Sequence, residues 1–104
     1  MSVLELRFTH DLKNVDGSDF DAVQFAGVEY AINGTPFVSV PTAFAPDGNF
    51  ATDLPVSLPI GDHEVSVRVM HIDGTASEAS EPAFFTVAPR VPSRPTGLSV
   101  SYSR

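Results

Sequence analysis

Valine alternates with polar residues in the stretch HEVSVRVMH, residues 63–71, and this alternation limits the possible folds more than any other feature of the chain. Successive side chains of a β-strand point to opposite faces, so Val65, Val67 and Val69 share one face of a strand. Shorter stretches repeat the same period of two, and none shows the period of a long amphipathic helix. The sequence therefore predicts an all-β protein in which the 63–69 strand lies centrally in a sheet.

Turn signals divide the rest of the chain into further short strands. Asn33-Gly34 predicts a type I′ hairpin turn, because both residues accept a positive φ. A change of parity at Gly27 predicts a β-bulge. Prolines flank two of the strands and place them at sheet edges, since proline has no N–H to donate. About seven antiparallel strands separated by Asp-Gly turns favour a sandwich of two sheets. The predicted strands outside 63–69 are 4–8, 23–32, 37–40, 56–60 and 83–87.

Charge is divided unevenly along the 104 residues. All 13 acidic residues lie at or before Glu81 with three of the six Lys and Arg, whereas Arg90, Arg94 and Arg104 follow with no acidic residue. Phosphate binding needs clustered basic residues, so an acidic protein repels nucleic acid and anionic membranes. We therefore expect neither as a partner, and we expect the basic C-terminal residues to favour an acidic protein surface.

The beginning of the chain alternates charged and apolar residues and does not resemble a signal peptide. No apolar run approaches the ~18 residues of a membrane span. We expect a soluble chain made in the cytosol. It contains no cysteine, so its stability must come from packing rather than from disulfides.

Two stretches resemble bacterial fibronectin type III domains. LPIGDHEVSVRVMHIDGTASEASEPAFFTV, residues 58–87, is similar to the corner, strand F, turn and strand G of that family. GVEYAINGTPF, residues 27–37, is similar to its strands C and C′. The resemblance implies an immunoglobulin-like sandwich. Two positions depart from the family: His63 stands where the corner tyrosine is common, and Phe8 is nearest to the place of the usual strand B tryptophan.

The same resemblance leaves the first strand of the domain unassigned. LELRFTHDL, residues 4–12, looks like strand B rather than strand A. SRPTGLSVSYS, residues 93–103, resembles the beginning of a fibronectin type III domain, with its Pro-x-Gly-Leu lead-in followed by alternating apolar residues. The segment similar to strand A therefore lies at the C-terminal end of this chain.

We accordingly divide the chain into a body, residues 1–88, and a basic C-terminal arm, residues 89–104, with a strand-like segment at 97–103. Three explanations of the arm are open. It is a linker and the beginning of a following domain; it folds back and completes its own sheet; or it adds as a strand to another copy or another protein. A basic arm and an acidic body favour the third. The predicted protein-interaction residues are Arg90, Arg94, Leu98, Val100, Tyr102 and Arg104.

The histidines do not form a metal site by their spacing. Eight residues of one strand separate His63 from His71 by roughly 27 Å, whereas zinc ligands lie about 2 Å from a shared ion. We expect His63 to be a half-buried corner residue. His71 is expected on the solvent side near a turn, and His10 is expected to form a surface pair with Asp11.

Asp16, Asp19 and Asp21 form an acidic loop that is a weak calcium candidate. With Gly17 at the sixth position of an EF-hand, apolar residues fall at the first and last positions, where carboxylates are needed. A solvated acidic loop is therefore expected. No nucleophile elbow, glycine-rich phosphate loop or metal-spaced histidine pair occurs in the sequence. We expect no enzyme activity and no cofactor.

These features favour a non-catalytic structural and protein-interaction subunit. By analogy, we expect a bacteriophage virion accessory protein, a capsid decoration or tail component, made in the bacterial cytoplasm. Its partners would be other copies of itself, virion structural proteins, or both, contacted through the arm. The alternative is a fibronectin type III-type spacer or binding module of a larger extracellular bacterial protein, such as a polysaccharide-degrading enzyme.

Overall fold

A computed structural model describes residues 3–104 and contains, within that range, six β-strands and no helix. All strand pairs are antiparallel. They form a two-stranded sheet of order β1-β4 and a four-stranded sheet of order β3-β2-β5-β6. The all-β prediction is confirmed, with six strands rather than about seven. The strands are β1 Leu4–Thr9, β2 Phe25–Ile32, β3 Val38–Val40, β4 Asn49–Leu54, β5 Gly61–His71 and β6 Ala83–Val87.

The two sheets bury apolar side chains in one core. Val28 and Phe50 are its most enclosed side chains, 1% and 2% exposed. Burying a side chain of this kind stabilises the folded chain by about 1.5–3 kcal/mol. Within this core, one cluster of buried residues draws on both sheets, so each sheet covers apolar side chains of the other. Its members are Leu6, Val28, Val40, Leu54, Val65 and Val67.

Several local predictions are confirmed. β5 is the longest strand and lies between β2 and β6. Asn33 and Gly34 have φ values of 54° and 74°, and Thr35 N–H donates to Ile32 O across the turn at 3.1 Å. The register of β2 shifts at Gly27, as expected for a bulge. β3 is an edge strand. Each of these features depends on a residue whose backbone requirements are visible in the sequence.

The predicted strand at 56–60 is wrong, because the strand in this region is β4 and ends just before Pro55. The inward row of β4 is Phe50, Thr52 and Leu54, each 9% exposed or less. The polar residue in the middle obscured the alternation. The Thr52 hydroxyl donates to a backbone carbonyl at 3.2 Å, which compensates for the burial of this polar group. The predicted start of β2 at residue 23 is also wrong, since the strand begins two residues later.

His63 is more buried than the half-buried residue predicted, at 7% exposure. Its Nε2 lies 2.7 Å from the carbonyl oxygen of Pro59 and its Nδ1 lies 2.9 Å from Asn33 Nδ2. The Asn33 amide is oriented by Glu64 N–H, which donates to its Oδ1 at 3.0 Å. His63 therefore donates through Nε2 and accepts through Nδ1. Its ring stacks on Phe85, with centroids 5.5 Å apart. Like a corner tyrosine, it ties its strand to the backbone just upstream.

Aromatic rings close one end of the body. Phe20 is 5% exposed, and its ring centroid lies 5.4 Å from that of His10 and 6.0 Å from that of His71. The His10 and His71 side chains are therefore 20% and 25% exposed, less than predicted. The predicted pair of His10 with Asp11 does form, with Nδ1 3.7 Å from Oδ1. We call this the aromatic end. Because Phe20 joins them, the Thr9 end of β1 and the His71 end of β5 both lie there.

No helix in the described residues is long and apolar enough to cross a membrane.

Candidate protein-interaction site

The arm carries an alternating apolar row that is fully in solvent. Leu98, Val100 and Tyr102 are 94%, 91% and 86% exposed. The strands end at Val87, and every residue from 88 to 104 is exposed. The described chain measures 87 × 26 × 19 Å, so the arm extends well beyond the two sheets. Each apolar side chain left in water forgoes about 1.5–3 kcal/mol of burial, which makes this row a candidate for binding another surface.

Three prolines divide the arm into two parts with different capacities. Pro89, Pro92 and Pro95 recur every third residue and have no N–H, so this part cannot form a regular ladder. After Pro95, every residue has an N–H and a C=O available for pairing. Only the last part of the arm can therefore join a sheet. The strand-like segment expected at 97–103 lies in this part and forms no strand within residues 3–104.

The predicted interaction residues extend beyond the body and are not gathered into one pocket. Arg90, Arg94 and Arg104 are exposed along the same arm as the apolar row. They project positive charge away from a body that holds all 13 acidic residues. The arm therefore presents apolar side chains and cations together, the combination that suits an acidic protein surface with an apolar strip.

The second part of the site is the unpaired edge of β1. β1 pairs with β4 along its whole length, from Leu4 opposite Leu54 to Thr9 opposite Asn49. The hydrogen bond from His10 N–H to Gly48 O, 2.8 Å, shows that the backbone groups of even-numbered residues face β4. The backbone groups of the odd-numbered residues face the other edge. No strand of residues 3–104 lies against that edge, and an unpaired edge is a template for another strand.

A groove of about 490 Å³ runs beside this edge, between the two sheets. Phe8 and Thr9 line it from β1, and Val67 and Val69 line it from β5. Ser77, Glu78 and Ser80 form the rest of its far wall, and the loop after β1 lines its end with polar residues as well as Val15. The groove therefore adjoins the Phe8 end of the β1 edge, with Phe8, Val67 and Val69 as apolar lining.

Hydrogen bonds hold Ser77 and Ser80 of the far wall against β5. Val69 N–H donates to Ser77 Oγ at 2.9 Å, and Val67 N–H donates to Ser80 Oγ at 3.1 Å. The backbone N–H groups of the two serines donate in return to Val69 O and Val67 O. Serine side chains therefore complete the pairing of β5 beyond the point where β6 begins. The sequence analysis did not identify this role of the two serines, for which the alternation of alanine and serine in residues 76–80 was the available signal.

β1 also differs from the other edge strands in its flanking residues. Pro41 directly follows β3, Pro55 directly follows β4 and Pro82 directly precedes β6. Proline beside an edge strand blocks extension of a ladder along it. β1 is flanked by Val3 and His10 instead. Among the edge strands of the described chain, β1 is therefore the one best suited to accept a further strand.

The acidic loop does not gather its carboxylates around one point. Asp16, Asp19 and Asp21 have separate hydrogen-bond partners. Among residues 3–104, no group of three or more His, Cys, Asp and Glu is placed to hold a metal ion. The loop therefore provides no preassembled calcium site within that range. The partners are Ser18 Oγ and N–H for Asp16, Lys13 Nζ for Asp19 and Val23 N–H for Asp21.

Carboxyl groups in the turns are held ionised by local hydrogen bonds. The hydrogen bond from Lys13, together with its charge, lowers the pKa of Asp19. Hydrogen bonds from the Ser18 hydroxyl and N–H lower the pKa of Asp16, and those from the Thr75 hydroxyl and N–H lower the pKa of Asp73. All three residues are exposed, and their carboxyls accept hydrogen bonds within the turn or loop in which they lie. Their shifts are those of turn stabilisation rather than of a general acid or base.

Comparisons of the chain with protein-family models, with curated proteins and with solved structures find no match.

Proposed function

We propose that this protein is a non-catalytic structural subunit that attaches to other protein subunits by adding its C-terminal arm to them as a β-strand. One observation carries the proposal: the alternating residues Leu98, Val100 and Tyr102 are 86–94% exposed in a chain that also has an unpaired edge strand beside an apolar groove. In β-strand addition, main-chain hydrogen bonds supply affinity, and alternate side chains fill pockets. The arm offers both, since its last part has free main-chain groups and an alternating apolar row.

We further infer that the body is a fibronectin type III-type sandwich. The chain order and pairing support this, since β1, β2, β3, β5 and β6 correspond to strands B, C, C′, F and G. β4, between C′ and F in the chain, corresponds to strand E. On this assignment strand A would lie against the edge of β1 that no strand of residues 3–104 occupies. The arm is the segment whose sequence resembles strand A.

The virion setting is proposed by analogy. Bacteriophage particles use many copies of small subunits joined by exchanged arms, and a body that is acidic with a basic arm fits that mode of assembly. We place the protein on the particle as a capsid decoration or tail accessory subunit, with other copies of itself and virion structural proteins as partners.

Deletion of residues 89–104 tests the proposed function. Light scattering should give a mass above that of the 11.1 kDa monomer for the full chain and the monomer mass for the shortened chain, with unchanged circular dichroism. Loss of folded structure on deletion would show that the arm completes its own sheet. If both chains are folded monomers, the arm is a linker. Either of these two results would overturn the proposal.

The second candidate function is a spacer or binding module within a larger extracellular bacterial protein. The extension of the arm beyond the body favours it, since a connection to a following domain has the same appearance. In that case deletion of residues 89–104 would change neither the oligomeric state nor the folding, so the same experiment separates the two functions.

A further inference from the structure

We infer that the acceptor of the arm is the β1 edge of a second copy of this chain, paired antiparallel with Leu98 opposite Phe8. The inference rests on the proposed function and names its partner and register. It starts from two matching lengths. The free β1 edge offers the six residues Leu4–Thr9, and the part of the arm beyond its last proline offers an uninterrupted stretch of similar length.

The side-chain parity of the two segments fixes the register. Leu4, Leu6 and Phe8 face the core, and directly opposed residues of paired strands share a face. An antiparallel pairing with Leu98 opposite Phe8 also sets Val100 opposite Leu6 and Tyr102 opposite Leu4. All three apolar residues of the arm then face inward. A shift by one residue would turn all of them to solvent.

The hydrogen-bonding groups agree with this register. On the free edge, the backbone groups of Glu5 and Arg7 point outward, because those of the even-numbered residues are directed at β4. Their partners in this register are Ser101 and Ser99. Neither is proline, so each can exchange two main-chain bonds, as paired residues of an antiparallel ladder do.

The groove provides the space for the inward side chains. It lies between Phe8 on β1 and the Ser77–Ser80 wall beside β5, with a volume of about 490 Å³. Leu98 would enter it beside Phe8. The small serine side chains of the wall leave room that a larger residue would occupy, so the wall that completes β5 also shapes the acceptor.

The arm of the same molecule does not occupy this position in the structure. Every residue from 88 to 104 is exposed, and the described chain is 87 Å long, so the arm points away from its own β1. A second copy can supply the strand while each arm keeps this extended form.

Charge favours a second copy in particular. The acidic residues of one body attract the arginines of another arm, and a copy of the same chain presents both. Because arm and acceptor are different surfaces, the contact is heterologous and repeats from molecule to molecule. The expected assembly is a head-to-tail ring or filament.

Engineered disulfides test the acceptor and the register in the full chain, which has no native cysteine. Arg7→Cys and Ser99→Cys are introduced together; both positions are exposed and face outward in the proposed pair. Opposed residues lie about 5.5 Å apart between Cα atoms, within the range for a disulfide. Oxidation should give a ladder of covalent oligomers on a non-reducing gel. A covalently closed monomer would overturn the inference by showing pairing within one molecule.

Two matched pairs control the disulfide test. Arg7→Cys with Ser101→Cys shifts the register by two residues and should give roughly tenfold less ladder, because diagonal neighbours lie beyond disulfide reach. Thr86→Cys with Ser99→Cys places the acceptor on β6 instead. If deletion of the arm abolishes assembly but only the β6 pair cross-links, the inference fails and the proposed function survives. If deletion has no effect, the proposed function fails as well.

A pair of arm variants tests parity without altering the body. Val100→Asp would bury a carboxylate opposite Leu6 and should raise the concentration needed for assembly by at least about 100-fold. Ser99→Asp adds the same charge on the outward face and should retain assembly within about tenfold. Equal loss in the two variants would overturn the inference, because it would mean that charge alone, rather than an inward-facing row, governs association.

Discussion

Two stretches of this chain have the same alternation but opposite environments. Val65, Val67 and Val69 of β5 are 6–9% exposed, whereas Leu98, Val100 and Tyr102 of the arm are 86–94% exposed. β5 has β2 on one side and, on the other, β6 continued by two serines. The arm has no paired strand among residues 3–104. Alternation therefore defines the two faces of a strand, and a paired neighbour decides whether one of them is buried.

The largest expected effect separates the two stretches by stability. Phe50→Ala removes the most enclosed ring of the body and should lower the free energy of unfolding by about 3–5 kcal/mol. Tyr102→Ala should change it by less than about 0.5 kcal/mol in protein too dilute to assemble, because an exposed residue has no packing to lose. Urea unfolding of both variants measures the difference. A large loss from Tyr102→Ala would show that the arm packs on its own body.

The next effect concerns the strand that we propose as the acceptor. Gly48 has φ 79°, and a Cβ placed there would collide with the carbonyl oxygen of His10, the residue it pairs with beyond β1. Gly48→Ala should therefore lower the free energy of unfolding by about 2–4 kcal/mol. Gly74→Ala is the matched control, since Gly74 also has a positive φ, 92°, but open space around it. It should cost only about 1 kcal/mol. Thermal unfolding measures both variants, and equal losses of unfolding free energy would contradict this account.

A smaller effect tests the serines that continue the pairing of β5. Ser80→Ala leaves Val67 N–H without its acceptor and should lower the free energy of unfolding by about 1 kcal/mol. Ser99→Ala in the arm removes the same hydroxyl from a fully solvated position and should have no measurable effect on unfolding. Hydrogen exchange adds a local readout, because the Val67 amide should exchange faster in Ser80→Ala. Unchanged protection there would rule out this role for Ser80.

The smallest effect is on the acid side of the pH range. The pKa of Asp19 lies below its ordinary value of 3.8, mainly because Lys13 donates a hydrogen bond to it. The ionised Asp19 carboxyl therefore stabilises the folded chain at pH values above 3.8. This stabilisation is lost as the pH falls through the lower pKa of the folded state. Asp19→Asn should therefore narrow the difference in urea midpoint between pH 5 and pH 3. Its exposed position keeps the change small, and an equal pH response in Asp19→Asn and the parent protein would contradict the assignment.

The features predicted correctly from sequence have causes within a few residues of themselves. Asn33-Gly34 forms its turn and Gly27 its bulge because of the backbone conformations that these residues allow. β4 was missed because Thr52 is inward and polar, and the carbonyl that accepts its hydroxyl comes from Pro41, a loop residue eleven positions away. Such a partner is visible only in three dimensions. A local pattern cannot distinguish a buried threonine from an exposed one.

In the candidate site, the strand-like segment of the arm stays a prediction from its alternation, since it forms no strand within residues 3–104. The groove could not be predicted, because it depends on Ser77 and Ser80 lying opposite Phe8 across two sheets. The buried contacts of His63, which tie Pro59 to Asn33, likewise join segments far apart in the chain.

The spacing of the prolines in the arm has a mechanical consequence. A polyproline helix has three residues per turn, so Pro89, Pro92 and Pro95 fall on one side of it, and their rings resist bending. The first half of the arm is therefore a stiff spacer of about 3.1 Å per residue rather than a loose tether. Between neighbouring subunits, this spacer would keep the bodies at a constant separation. Inserting or removing one three-residue turn would change the repeat distance of the assembly by about 9 Å without changing which strand each arm meets.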